Sequence, residues 1–557
     1  MRRKPNWSAP GRNLIRSSGV LLTALALAVG SAAVAVAAPQ ATTGAAQQDL
    51  AQNVDTFMGT QPGAADQGTG GGAGNDFPGA DVPFGMVQWS PDTVRSQPGG
   101  YFYQDNRIMG FSMTHLTGAG CFTYQDVPFM PVVGQVTDSP ATDPMRYVST
   151  FSHANESASP GRYGVTLDNG AKVDLTATQR TGSGRFTYPA GQPATLLVNA
   201  SGSVSGTTDA NVTIGKNFIS GWASSGMFCG ASDHYRVYFY AQFDQNFASI
   251  GTWHNGAVTP GNTTQSGGRP ASPAVTKANA AVAAAHTNGS TAKAAVVKPQ
   301  DVTVSGPGSG AFVTFNSTAN PVVNVRVGLS FTSAAGAKGN LTAENNGSKT
   351  FDQVATAARS TWNSRLNEIQ VTGGTTEQVK TFYSSLYHAL LQPNVFSDAN
   401  GQYAGFDGQT HTVAKGHAIY TNFSGWDIYR SESQLLAILA PKEMSDIAAT
   451  MVLFAQQGGA WDRWTVANDF TGVMNGDPYH IIVSNAYAFG AKNFDVKTAE
   501  LLMLKGATQV TDGSTGYVER PGLGNYQTLG YVPGAAADTL EYTSADFAIA
   551  QLAQRLG

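Results

Sequence analysis

The chain has 557 residues, 41% hydrophobic and 13% charged, with 64 glycines, which makes it too long for one compact domain and apolar enough to bury large cores. A formal net charge of −4, with no Lys/Arg run beyond the first residues, leaves nucleic-acid binding without an electrostatic footing.

Residues 1–38 are expected to be a signal peptide. Arg2, Arg3, Lys4, Arg12 and Arg16 precede the apolar run Gly19 to Gly30, and Ala35-Val36-Ala37 supplies small residues for cleavage. A membrane anchor is the alternative reading of the same run. No later segment is apolar enough to span a bilayer. Export also bears on the two cysteines, Cys121 and Cys229. An even pair in an exported chain can close a disulfide, and two buried free thiols are the plainer alternative; the bridge is the expectation.

Residues 50–335 read as a β-sandwich. Val165-Thr166-Leu167 and Val173-Asp174-Leu175 alternate apolar and polar around Asn169-Gly170, a hairpin signal. Thr195 to Val198, Tyr235 to Phe243 and Val322 to Phe331 are further β-branched and aromatic runs. Residues 255–300, rich in Ala, Thr, Gly and Pro, read as a flexible surface insertion.

Near Ser348 the hydrophobic period changes to that of helices, which then fill residues 345–557. Val354, Ala358, Trp362 and Leu366 share one face of a linker helix, with Thr350 near its N-cap. Six more helical segments follow, marked by Leu386, Trp426 to Leu439, Met451, Ile481 to Phe489, Met503 and Ile549.

Two stretches have the composition of a sugar site, with aromatic faces for C–H surfaces and carboxylates, amides and Arg for hydroxyls. The first is Phe423-Ser424-Gly425-Trp426-Asp427-Ile428-Tyr429-Arg430, where Asp427 and Arg430 at i,i+3 would share a helical face. An ordinary ion pair beside a structural Trp is the plainer reading. The second is Trp461-Asp462-Arg463-Trp464 with Asn468-Asp469 and Asn475-Gly476-Asp477-Pro478; it contacts sugar or only caps helices. The candidate substrate-binding residues are Trp426, Asp427, Arg430, His115, Asp477 and Trp464. His115 lies in the Gly110–Gly120 loop, whose glycine density marks a close approach rather than a strand interior; local satisfaction is its plainer role.

These blocks resemble glycoside hydrolase family 92, the calcium-dependent exo-α-mannosidases. The likeness runs through Gly74-Asn75-Asp76-Phe77-Pro78-Gly79-Ala80, the Gly110–Gly120 loop, Phe151-Ser152-His153-Ala154-Asn155-Glu156, Phe382 to His388, Pro393 to Asp398, Trp426 to Arg430, and Leu540-Glu541-Tyr542. Met113, Thr117 and Ala119 depart from residues common in the family. The resemblance implies an N-terminal β-sandwich on an (α/α)6 barrel, with the site between them. It implies Ca2+ as cofactor and hydrolysis with inversion of terminal, α-1,2-linked mannose in N-glycans or mannans by a secreted enzyme. It also places the catalytic acid and base beyond Gly557. The barrel is therefore expected to be C-terminally incomplete and this polypeptide alone inactive, with its calcium ligands unassigned. Glu541 and Asp546 read as a helix-start acidic cluster. The rival readings are another sandwich-plus-(α/α)6 glycosidase or phosphorylase, and a non-catalytic glycan-binding fragment.

Overall fold

The structure, a computed structural model, describes residues 48–64, 74–287, 298–514 and 516–557. The expected signal peptide, 1–38, lies outside the described residues, as do 288–297 of the expected insertion.

The N-terminal part is built on one large antiparallel sheet of 16 strands among the described residues. Its strand His234–Phe243 shows why the chain folds this way: Tyr235, Val237, Phe239, Ala241 and Phe243 are buried on one face, and the residues between them are not. The hairpin read around Asn169-Gly170 joins Arg162–Leu167 to Lys172–Ala177 with Val165 opposite Val173. The long strand Ser149–Ser159 pairs with Arg107–Ser112 at its start and with Arg162–Leu167 farther on, so it carries the sheet from one half to the other. The halves meet across Trp89, whose ring contacts Phe129 of one half and Phe186 of the other at 5.4 and 6.4 Å. Gly182 and Gly184 make that contact possible, since a Cβ at either would stand 2.5 or 2.7 Å from the indole.

The described residues of the 255–300 stretch carry more regular structure than their composition suggested. Strands Ala257–Pro260 and Thr264–Ser266 extend the sheet, and helix α1, Pro273–Thr287, follows. Val275 and Val282 are buried, and the Asn279 amide exchanges two hydrogen bonds with the Phe122 backbone, at 3.0 and 2.9 Å. Helix α2, Ala334–Glu344, lies against strand Val322–Ser330.

The helical part comprises α3 (Phe351–Leu366), α4 (Thr376–His388), α5 (Gly425–Ile428), α6 (Glu432–Leu439), α7 (Pro441–Gly458), α8 (Pro478–Phe489), α9 (Val496–Thr508), α10 (Leu523–Leu529) and α11 (Ala536–Leu556). Both α3 and α4 open with a full capping box, Thr350/Gln353 and Thr375/Gln378. Val354, Ala358, Trp362 and Leu366 are all buried on α3, and α8 packs against α6, α7 and α11. Asp81 receives the Trp362 indole on its carbonyl at 3.1 Å and the Tyr387 hydroxyl on its carboxyl at 3.2 Å, tying the two parts together. Arg180 adds a hydrogen bond to the Ser397 carbonyl at 2.6 Å. Their buried side chains form one continuous hydrophobic cluster. No helix among the described residues is long and apolar enough to cross a membrane.

Candidate active site

A cavity of about 630 Å³ opens between the sheet part and the helices, lined among others by Asp76, Thr117, His388, Asp427, Glu432 and Trp464. Loops make its first wall. Asn75 adopts a positive φ of 54° and its amide donates to the Ala119 carbonyl at 2.9 Å, which lays 74–76 against 117–120. The Thr117 hydroxyl donates to Asp76, and the Thr117 N–H donates to Gln392 just past α4, at 2.7 Å. Cys121 is bridged to Cys229, so the same loop is pinned to the turn Phe228–Gly230, which also faces the cavity. His388, at the end of α4, brings Nδ1 to 3.9 Å from Asp76. Burial raises the Asp76 carboxyl, with His388 and Thr117 opposing it.

The helical wall begins at Asn422, which has φ 64° and accepts the Tyr124 hydroxyl at 2.9 Å. Ser424 then leads into α5, where its hydroxyl donates to Asp427. Helix α5 is a single turn, ending at Ile428, and Ser431 breaks the backbone with φ −157° before α6. That break decides what Asp427 and Arg430 do. The i,i+3 rule needs a continuing helix; here Asp427 faces the cavity while Trp426 and Arg430 stay outside its lining. Arg430 pairs with Glu541 at 3.2 Å and lies over the rings of Trp426 and Tyr429 at 4.4 and 4.7 Å. Trp426 Nε1 and the Tyr429 hydroxyl also donate to Glu541, at 3.1 and 2.8 Å. Glu541 is thus no helix-start group. It sits in the second turn of α11 and gathers three side chains behind the cleft wall. Gly476, with φ +77°, allows this approach, because a Cβ there would stand 2.5 Å from that of Glu541.

The remaining candidates fall on different places. Trp464 lines the cavity, packed on Phe228 at 4.4 Å. His115 is buried in the sheet part, with Nε2 3.0 Å from Asp92 and Nδ1 2.9 Å from the Gln88 carbonyl, and it does not face the cavity. Its loop does make the close approach its glycines suggested, through Thr117 to Gly120. Asp477 is buried at the start of α8, accepting from Arg520 at 2.7 Å, with His480 Nδ1 at 2.9 Å. His480 Nε2 lies 3.1 Å from Glu519. Burial alone would lower His480, but the Asp477 and Glu519 carboxylates override it and hold the imidazole up at about 9.

Asp76, His388 and Glu432 are cavity residues that the composition search did not single out. Asp76 and His388 stood inside family-like blocks, whereas Glu432 carried no signal of its own. Glu432 begins α6, its Oε1 is sealed from solvent without a hydrogen-bond partner, and burial with Asp427 alongside pushes its carboxyl up to about 8.

Among the described residues, Asp477, His480 and Glu519 are the one group with metal-like spacing. Calcium prefers a cage of six to eight hard oxygens. A set with an imidazole nitrogen, and with the Arg520 guanidinium already on Asp477, does not fit that ion.

Comparison with known proteins agrees with this architecture. Residues 53–330 match the glycosyl hydrolase family 92 N-terminal domain, and residues 336–557 match the family 92 catalytic domain. The family 92 α-mannosidase BT3965 of Bacteroides thetaiotaomicron is 26% identical with a TM-score of 0.76, over 92% of this chain and 63% of its own. The family 92 inverting mannosidase BT2199 from the same organism is 25% identical with a TM-score of 0.74, over 91% of this chain and 62% of its own. An uncharacterized secreted glycosidase of Arthroderma benhamiae is 24% identical over 378 residues, which are 63% of this chain and 43% of that protein. The chain therefore spans less than two thirds of the length of each of these relatives. With both family domains matched in order, this chain belongs to glycosyl hydrolase family 92.

Proposed function

We propose that the chain acts in exo-cleavage of terminal α-mannose, α-1,2-linked, from N-glycans or mannans, with the interdomain cavity holding the non-reducing sugar. The observation that carries this reading is the cavity itself: polar side chains from both family 92 domains converge on a volume suited to a sugar ring. BT3965 has been solved with mannoimidazole, which supports mannose as the ring recognised. Asp427 would accept its hydroxyls, and Trp464 with Phe228 would offer an apolar face. Arg430, Trp426 and Tyr429 would hold that wall in shape through Glu541.

Inversion requires an acid and a base flanking the scissile bond, roughly 6.5–9.5 Å apart. Asp427 and Glu432 spring from one wall, five residues apart, so they serve this reading as binding groups rather than as that pair. We also propose secretion, which the leader-like residues 1–38 and the secreted relative support, calcium dependence, and a helical part belonging to an (α/α)6 barrel. Leu501, Leu504, Leu540 and Phe547, standing open on α9 and α11 at 68, 42, 70 and 66% exposure, support the last.

The test is titration of methyl α-D-mannoside and methyl α-D-glucoside into the protein with calcium present, alongside assay of α-1,2-mannobiose with and without phosphate. Saturable mannoside binding, weakened about tenfold or more in Asp427→Ala, is the expected result. Binding of glucosides in preference, or phosphate-dependent cleavage, would move the function to the disaccharide-phosphorylase reading.

A further inference from the structure

Glu432 stands apart from the other carboxyls of the cavity. Asp76 is engaged by Thr117 and Asp427 by Ser424, whereas Glu432 lines the cavity with its Oε1 turned inward, away from water and without a hydrogen-bond partner. A buried polar atom is normally satisfied, and a carboxyl that finds no partner inside the wall is left to bond through the edge it presents to the cavity. The position sharpens the point. The first turn of a helix favours a negative carboxylate, yet here burial and the neighbouring Asp427 outweigh that preference and favour the neutral acid. A neutral carboxyl both donates and accepts hydrogen bonds, which suits a sugar hydroxyl.

We propose that Glu432 is a specificity-determining residue of this cavity, its carboxyl closing on a hydroxyl of a neutral sugar beside the one held by Asp427. The inference rests on the sugar-binding reading of the cavity. It adds a chemical restriction: the titratable groups of the lining are Asp76, Asp427, Glu432 and His388, so the wall around Glu432 disfavours uronates and selects neutral hexosides. It also adds a linkage. Laying a sugar over Glu432 withdraws the remaining solvent from its surroundings and favours the protonated form, so binding takes up a proton as the pH approaches that of its titration. Asp427 is the charged neighbour that acts on Glu432, and Asp76 and His388 face the same space.

The experiment titrates methyl α-D-mannoside into the full chain with calcium at pH 6, 7, 8 and 9, for wild type, Glu432→Gln and Glu432→Ala, with thermal unfolding of each recorded. Wild-type affinity is expected to hold to pH 7 and fall about tenfold by pH 9. Glu432→Gln keeps shape and hydrogen bonding, so it should bind within about threefold of wild type at pH 6 and lose the alkaline fall. Glu432→Ala should bind about tenfold more weakly throughout. Should Glu432→Ala unfold, the pH profile of the near-isosteric Gln variant decides alone. An alkaline fall that persists in Glu432→Gln, or full affinity in Glu432→Ala, overturns the role of Glu432 while leaving the cavity as the sugar site. A wild type that binds no mannoside at any pH overturns the cavity reading and this inference with it.

Discussion

Glu541 arranges three side chains at once, because a carboxylate has enough lone pairs to accept the Trp426 indole, the Tyr429 hydroxyl and the Arg430 guanidinium together. Its replacement by Ala leaves three donors without their acceptor in a partly buried place, so we expect a loss of about 1–3 kcal/mol and weaker mannoside binding through a loosened α5. Thermal melts and mannoside titration of Glu541→Ala and Glu541→Gln check this, with Gln, which retains one acceptor oxygen, falling between. His480 makes a pH prediction. Its folded pKa of about 9 exceeds the unfolded value near 6.5, so its contribution is complete below 6.5 and is lost as pH rises through 9. Asp233 and Glu432, both raised to about 8 chiefly by burial, act in the same direction, contributing below about 4 and losing that contribution as pH rises through 8. Asp477 is opposite: burial would raise it, but His480 and Arg520 hold it below the usual carboxylate range, so its contribution is present above about 4 and lost on acidification. The melting temperature should therefore fall from pH 6.5 to 9, and His480→Gln should start lower and fall less steeply, keeping the part of the slope that Asp233 and Glu432 supply. An unchanged slope in that variant would remove the imidazolium from the account.

Elements with an apolar stripe were legible in the sequence: the face Val354, Ala358, Trp362 and Leu366 announced α3, and Thr350 was identified as its cap. Helix α2 was not, because it buries Gly336, Ala337, Asn340 and Leu341, a set without a hydrophobic period; sheet packing holds it in place of amphipathicity. The site was legible in part for a related reason. Composition located the segments that reach the cavity, but the length of α5 decides which side chains face it, and a one-turn helix is invisible to an i,i+3 argument. Two predictions belong at this scale. Thr350→Ala removes one half of a capping box and should cost about 1 kcal/mol, measured by denaturant unfolding. The Cys121–Cys229 bridge closes a loop of 108 residues, so its removal in the Cys121→Ser/Cys229→Ser double variant should cost about 4–5 kcal/mol in a chain-entropy account. Because both cysteines sit in cavity-lining loops, the same variant should bind mannoside more weakly at a temperature where it remains folded; unchanged affinity there would limit the bridge to stability.

At the scale of the whole molecule, the sequence pattern divides the chain near residue 340, and a β-sandwich with its own core would be expected to survive alone. The packing argues otherwise. The indole of Trp362 and the hydroxyl of Tyr387 both end on Asp81, a fully buried carboxyl whose pKa burial drives well up. The Phe84 N–H donates to Leu390 at 2.9 Å and its carbonyl accepts from Val395 at 2.8 Å, so the helical segment supplies backbone partners to the middle of a sheet-part loop. Tyr124 reaches Asn422, and Arg180 donates to the Ser397 carbonyl at 2.6 Å. Cutting the chain between α2 and α3 would strand these groups. A neutral buried donor or acceptor left unpaired costs about 1–3 kcal/mol, and more when charged, so losing several together rivals the 5–15 kcal/mol that holds a typical domain folded. One cooperative unfolding transition is therefore expected for residues 48–557, by calorimetry and by tryptophan fluorescence alike. A separately produced 48–345 piece should melt at least about 10 °C lower or fail to fold. Two resolved transitions, or a 48–345 piece melting with the intact protein, would show that the sheet part is self-sufficient and that the Asp81 and Phe84 contacts are docking contacts rather than shared core.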